Sequence, residues 1–107
     1  MYGRHPPLTD VTLVPHPLGL KVTGEIDYAN RHVLAGALDQ ALQTGKQDLR
    51  LDLSGLTFID VAGMRVIVAG AGRLPQGRRL ILAPVSPQAR RLLTLTGWRH
   101  ASGLHMP

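Results

Sequence analysis

Apolar positions along the chain follow two rhythms, one of period two and one near 3.6, and the switches between them outline the fold. Val11-Thr-Leu-Val14 alternates weakly and is cut by Pro15 and Pro17, after which Leu18, Leu20 and Val22 alternate with Gly19, Lys21 and Thr23. This reads as two strands joined by a short turn, with one face of the edge in water. Gly24-Glu-Ile-Asp27 ends the second strand, and the Asp27 carboxylate is placed to N-cap a helix. From Tyr28 the apolar residues Leu34, Ala37, Leu38, Ala41 and Leu42 take helical spacing, and Gly45 is a natural stop. Leu49, Leu51 and Leu53 in Asp48–Ser54 predict a third strand. Gly55-Leu-Thr-Phe-Ile-Asp60 reads as the turn into a second helix, whose stripe is Val61, Met64, Ile67, Val68 and Ala71. Pro75-Gln-Gly77 breaks the chain, and the continuous apolar run Leu80-Ile-Leu-Ala83 suits a central strand. Ser86-Pro87 pairs a cap residue with proline at the first helical position. Ala89, Leu92, Leu93 and Thr96 form the inner face of that third helix, Gly97 ends it, and Trp98–Met106 has room for one short strand.

The predicted order is β-β-α-β-α-β-α-(β). Strands joined through helices run parallel with right-handed crossovers. The expected class is α/β: an open mixed sheet, mostly parallel with an antiparallel first strand, and about three helices. Residues 1–9 are polar and proline-containing and are expected to form a flexible arm, with residues 10–107 as one domain. No internal repeat or linker is visible.

Composition narrows the function classes. The longest mostly apolar stretch, Val61–Gly72, is too short for a bilayer and contains Arg65, so no membrane span is expected. Met1–Thr9 lacks an apolar secretory core, and the chain has no cysteine, which removes disulfides, thiolate metal sites and cysteine nucleophiles. A reducing compartment, the cytoplasm, is the expectation. The net charge of +5 is carried mainly by arginine, with Arg73, Arg78, Arg79, Arg90, Arg91 and Arg99 late in the chain and read as a solvated basic face. Such a surface favours acidic partners. One Phe, two Tyr and one Trp are poor material for base stacking, so nucleic acid is disfavoured.

Catalytic patterns are missing. His5, His16, His32, His100 and His105 have no metal-ligand spacing, and no serine sits in a G-x-S-x-G elbow. Gly70-Ala-Gly72 falls inside a helix and reads as close helix packing rather than a phosphate loop. Asp27 and Asp60 follow strands, an outline shared with some phosphotransferases, but both also read as helix caps. No metal, no cofactor and no catalysis are expected.

Three segments occur in a particular order: Gly24-Glu-Ile-Asp27, then Leu51-Asp-Leu-Ser-Gly-Leu-Thr-Phe-Ile-Asp60 with Gly63, then Leu92-Leu-Thr-Leu-Thr-Gly97. Together they resemble the signature of the STAS domain, the fold of anti-sigma factor antagonists, and the resemblance covers nearly the whole chain. Phospho-regulated members read D-L-S-x-V-x-F-I-D-S-S-G-L, and the first serine after the last aspartate takes the phosphate that switches partner binding off. Here that position is Val61 and the next is Ala62, so phosphorylation there is chemically impossible. The resemblance implies a partner surface of Asp27, Thr57, Asp60, Val61, Ala62, Gly63, Met64 and Arg65 that docks an anti-sigma factor or its kinase-like relative and frees a sigma factor. The leading expectation is an unswitched binder. A repurposed loop in which Val61 and Met64 supply apolar contact comes second. Takeover by Thr57 or Ser54 comes third, although hydroxyls there bond the backbone locally as a rule. The alternative function is ligand sensing at the strand ends, of a nucleotide or small molecule, or a place in a larger signalling complex. The short tail after Gly97 implies a minimal or missing final element.

Overall fold

A computed structural model describes residues 9–15 and 17–107, so the expected arm at residues 1–9 lies, apart from Thr9, outside the described residues. The elements are β1 (Asp10–Pro15), β2 (Leu18–Ile26), α1 (Arg31–Leu42), β3 (Leu49–Ile59), α2 (Val61–Gly72), β4 (Leu80–Leu82), α3 (Pro87–Thr96), a 3-10 turn (Trp98–His100) and β5 (Leu104–His105). The sheet runs β1-β2-β3-β4-β5. Its first pair is antiparallel and the other three are parallel, as the sequence pattern predicts. Every parallel connection steps one strand in the same direction, so right-handed crossovers put all three helices on one face. Leu20, Val22, Leu49, Leu51, Leu53, Leu80 and Leu82 are buried under them. The alternate residues Lys21 and Arg50 stand exposed on the other face. Among the described residues, no helix is long and apolar enough to cross a membrane.

The expected turn at residues 55–60 is instead the second half of β3, which runs for 11 residues. Pairing with β2 steps from Lys21↔Asp52 to Thr23↔Gly55, and from Gly24↔Leu56 to Glu25↔Phe58. At each step β3 uses one residue more than β2, which is a β-bulge. Its buried positions, Leu49, Leu51, Leu53, Leu56 and Ile59, therefore change from every second to every third residue. That break in alternation makes the segment read as a turn.

Three other expectations need correction. Helix α1 begins at Arg31 with Asn30 at the cap position, so Asp27 caps the preceding turn rather than the helix. On α2, Met64, Ile67 and Ala71 are buried, but Val61 is 44% exposed and leaves the inner stripe. Gly70 does pack against α1, where an added Cβ would meet Leu38 Cδ1 at 3.4 Å, whereas Gly72 faces open space. Helix α3 follows the sequence closely. The Ser86 hydroxyl accepts the Ala89 N–H at 3.2 Å, and Gly97 takes the left-handed φ of 77° that ends the helix.

Arg78 departs from the solvated arginine face, being only 7% exposed. Its guanidinium donates to the carbonyls of Gln47 (2.6 Å), Leu42 (2.7 Å) and Thr44 (3.1 Å). It thereby ties the segment after α2 to the whole α1–β3 connection. Arg78→Ala is expected to cost about 2–3 kcal/mol, because the charged donor to three carbonyls is lost. In urea the midpoint should fall with an unchanged slope, and Arg78→Lys should recover only part of the loss.

Candidate functional site

Parallel β2 and β3 end side by side at Ile26 and Ile59, so the two loops that follow leave from the same end of the sheet. Asp60 joins them. It N-caps α2 with an extended backbone, and its Oδ1 accepts the Gly63 N–H at 2.8 Å. Its Oδ2 accepts the Tyr28 N–H, 32 residues away in sequence, at 3.0 Å. Its own N–H donates to the Ile26 carbonyl at 3.1 Å. Asp27 forms a reciprocal pair with Asn30: the Asn30 N–H donates to Asp27 Oδ1 at 3.0 Å, and the Asp27 N–H donates to Asn30 Oδ1 at 2.8 Å. The Asn30 amide also donates to the Glu25 carbonyl at 2.9 Å and to Thr9 Oγ1 at 3.1 Å. Both carboxylates thus accept backbone N–H groups and define loop shape. Among the described residues, no three His, Cys, Asp or Glu side chains converge to hold a metal ion.

Gly63 allows the first turn of α2 to lie directly on the strand ends. A Cβ there would meet Ile26 Cγ2 at 2.6 Å and Ile59 Cγ1 at 2.9 Å, closer than side-chain atoms approach. Met64 beside it has no exposed surface. Gly63 and Met64 therefore support the site from beneath, and Met64 is not the apolar contact that its spacing from Val61 predicts. The outward residues are Val61 at 44% exposure, half-buried Ala62 and exposed Arg65.

These residues border a shallow depression with Tyr28 and Arg31. Tyr28 is 68% exposed and Phe58, at the end of β3, is 41% exposed. The Arg31 guanidinium lies 3.9 Å from the Tyr28 ring centroid and donates to the Tyr28 carbonyl at 2.6 Å. The Arg65 guanidinium lies 5.7 Å from the Trp98 ring centroid. Sequence reasoning missed Tyr28, Arg31 and Phe58. The available signal was an aromatic immediately after a strand-ending aspartate, outside any apolar stripe.

The two candidate hydroxyls are both engaged, but neither bonds the neighbouring backbone as expected: one reaches across to β2 and the other to a side chain. Thr57 Oγ1 donates to the Gly24 carbonyl at 3.0 Å. Ser54 donates its hydroxyl (2.7 Å) and its N–H (2.9 Å) to Asp52 Oδ1. Desolvation is the largest single influence on the Asp52 carboxyl and pushes its pKa up. The two Ser54 hydrogen bonds and the charges of Lys21 and Arg50 together outweigh it and hold the pKa below its ordinary value. Gln88 on α3, also unforeseen, takes the place of a strand neighbour beyond β4. Its Oε1 accepts the Ile59 N–H at 3.0 Å and its Nε2 donates to the Ile59 carbonyl at 2.8 Å.

A family model described as the Mlab STAS domain matches residues 9–105. A Bordetella bronchiseptica protein named as an anti-sigma factor antagonist, BtrV, is 30% identical over 76 residues, spanning 70% of this chain and 66% of that protein. The match therefore spans just under two thirds of that relative's length. The crystal structure of an anti-sigma factor antagonist from Mycobacterium paratuberculosis superposes with a TM-score of 0.78 at 24% identity, covering 92% of this chain and 86% of that one. The Bacillus cell fate determinant SpoIIAA, in its phosphorylated form, superposes with a TM-score of 0.65 at 18% identity, covering 94% and 91%. These structural likenesses establish the shared fold.

Asp60→Ala removes both loop ties and is expected to cost about 1–3 kcal/mol. The matching signature is faster hydrogen exchange at both the Gly63 and Tyr28 amides, with Asp60→Asn affected less. Asp52 has a lowered folded-state pKa, so its stabilising contribution is complete above the ordinary carboxylate range and is lost as pH falls through the folded value. Ser54→Ala should raise the Asp52 titration, followed by carboxyl carbon-13 NMR, because desolvation then acts against fewer hydrogen bonds.

Proposed function

The chain belongs to the STAS family, and on that premise we propose that it is a non-catalytic interaction domain of the anti-sigma factor antagonist type. In this reading it docks an anti-sigma factor or a kinase-like protein, acts in the cytoplasm, and frees a sigma factor by competition. The observation that carries the reading is the exposed apolar pair Tyr28 and Val61, which border one depression at the start of α2. Aromatic residues that are exposed yet rigidly mounted are the usual anchors of protein interfaces. The naming of the Bordetella and Mycobacterium relatives as anti-sigma factor antagonists points the same way.

The docking surface consists of Val61, Ala62 and Arg65 outermost, with Asp27, Thr57 and Asp60 setting the loop shapes and Gly63 and Met64 supporting them. Tyr28 and Arg31 extend it. With valine and alanine at 61 and 62, no phosphate can be attached at the start of α2. A phosphoserine would add about −1.5 to −2 charge there. Val61 instead keeps the surface neutral and apolar at that point, so binding follows partner concentration rather than phosphorylation.

The test is calorimetric titration of the chain against a kinase-like anti-sigma protein encoded in the same genome, with and without ATP. The expected result is a complex of about micromolar affinity or tighter, equal in both conditions, with no phosphate on residues 54–65 by mass spectrometry. Val61→Arg should weaken it about tenfold or more by placing a charge on the apolar patch. ATP-dependent dissociation with a phosphorylated chain would overturn the unswitched mechanism.

A further inference from the structure

We infer that Arg31 and Arg65 form a carboxylate-recognition pair, so that the docking partner presents an acidic side chain next to an apolar one. This deepens the docking function proposed above and rests on it. Both arginines border the same depression, which Tyr28, Val61 and Ala62 also line. The ion pairs among the described residues are Arg73–Asp39 and Arg79–Asp48, and neither involves Arg31 or Arg65. The nearby carboxylates are turned to backbone: Asp60 uses both oxygens on N–H groups and Asp27 uses Oδ1 on the Asn30 N–H.

The mounting of the two guanidiniums matters as much as their charge. Each lies near an aromatic ring, Arg31 by Tyr28 and Arg65 by Trp98. Contact with a ring face holds a guanidinium while its in-plane N–H groups stay available. Arg31 is fixed further by one bond to the Tyr28 carbonyl and keeps its remaining donors. A planar fork held in this way matches a carboxylate with two parallel bonds. The net charge of +5 favours the same sign of ligand. With Val61 uncharged, no covalent phosphate can occupy the arginines, and an external acidic group can. The exposed Tyr28 and Val61 make the remainder of the contact apolar, which favours an acidic protein segment over a free ion.

The experiment is an NMR titration of the full chain, observing the Nε–H signals of Arg31 and Arg65 and the amides of Tyr28 and Ala62. The probe is a blocked peptide of alternating Glu and Leu, compared with its Gln-for-Glu counterpart and with inorganic phosphate. Saturating shifts with the Glu peptide are expected, weakening with added salt. The Gln peptide should shift these signals little, and the Arg31→Gln/Arg65→Gln variant should bind the Glu peptide about fivefold or more weakly. Equal shifts from the Gln peptide, or tighter binding of phosphate than of the Glu peptide, would overturn the inference. The same variant in the calorimetric assay separates the two levels. If Val61→Arg weakens the partner complex and the arginine variant does not, docking stands and carboxylate recognition falls. If neither substitution has an effect, docking at this surface falls as well. Arg31 and Arg65 lie outside the core, and their replacement should lower the unfolding midpoint only slightly, through the lost bond from Arg31 to the Tyr28 carbonyl.

Discussion

A single carboxylate sets the geometry of the candidate surface. Asp60 spans from the first turn of α2 to the loop after β2, so the two segments keep one relative position. Gly63 makes that position possible, because the helix could not rest on Ile26 and Ile59 with a side chain there. The two requirements reinforce each other. The cap fixes where the helix starts, and the close packing fixes how deep it sits. Together with the bond from the Asp60 N–H to the Ile26 carbonyl, they place Tyr28, Arg31, Val61 and Arg65 around one depression.

The chemistry of the surface follows from what occupies the first helical position. A hydroxyl there would make the surface two-state, neutral or strongly anionic. Valine makes it single-state, apolar at the centre and cationic at the flanks. Asp60 spends both carboxylate oxygens on backbone N–H groups and Asp27 one of its two. On the proposed reading, recognition of a partner's own charge stands where covalent charge regulates the phospho-switched members. The bulges in β3 let the strand keep pairing with β2 as far as Ile59, directly before the residue that caps α2.

Much of the fold was legible because local signals agreed. Ser86, Pro87 and Gly97 bound α3 in sequence and in space, and alternation marked β2 and the first half of β3. The second half of β3 was hidden, since its two extra residues destroy the period on which strand recognition depends. Of the candidate surface, the sequence indicated that Asp27 and Asp60 each follow a strand, and β2 and β3 do end side by side just before them. Helical spacing grouped Val61 with Met64, but spacing does not report where the sheet beneath a helix ends. Tyr28 and Arg31 were missed because their meeting with Val61 depends on a bond spanning 32 positions. Arg78 looked like any other surface cation, because its three acceptors lie more than thirty residues away.

The central claim is that the chain works through the surface at the start of α2. Hydrogen-exchange mass spectrometry of the chain, free and with the proposed kinase-like anti-sigma protein, tests it most directly. The account predicts slowed exchange in residues 26–31 and 60–66, with β1 and the open sheet face around Lys21 and Arg50 unchanged. Protection confined to β1 or that open face, with residues 60–66 exchanging as in the free chain, would contradict it.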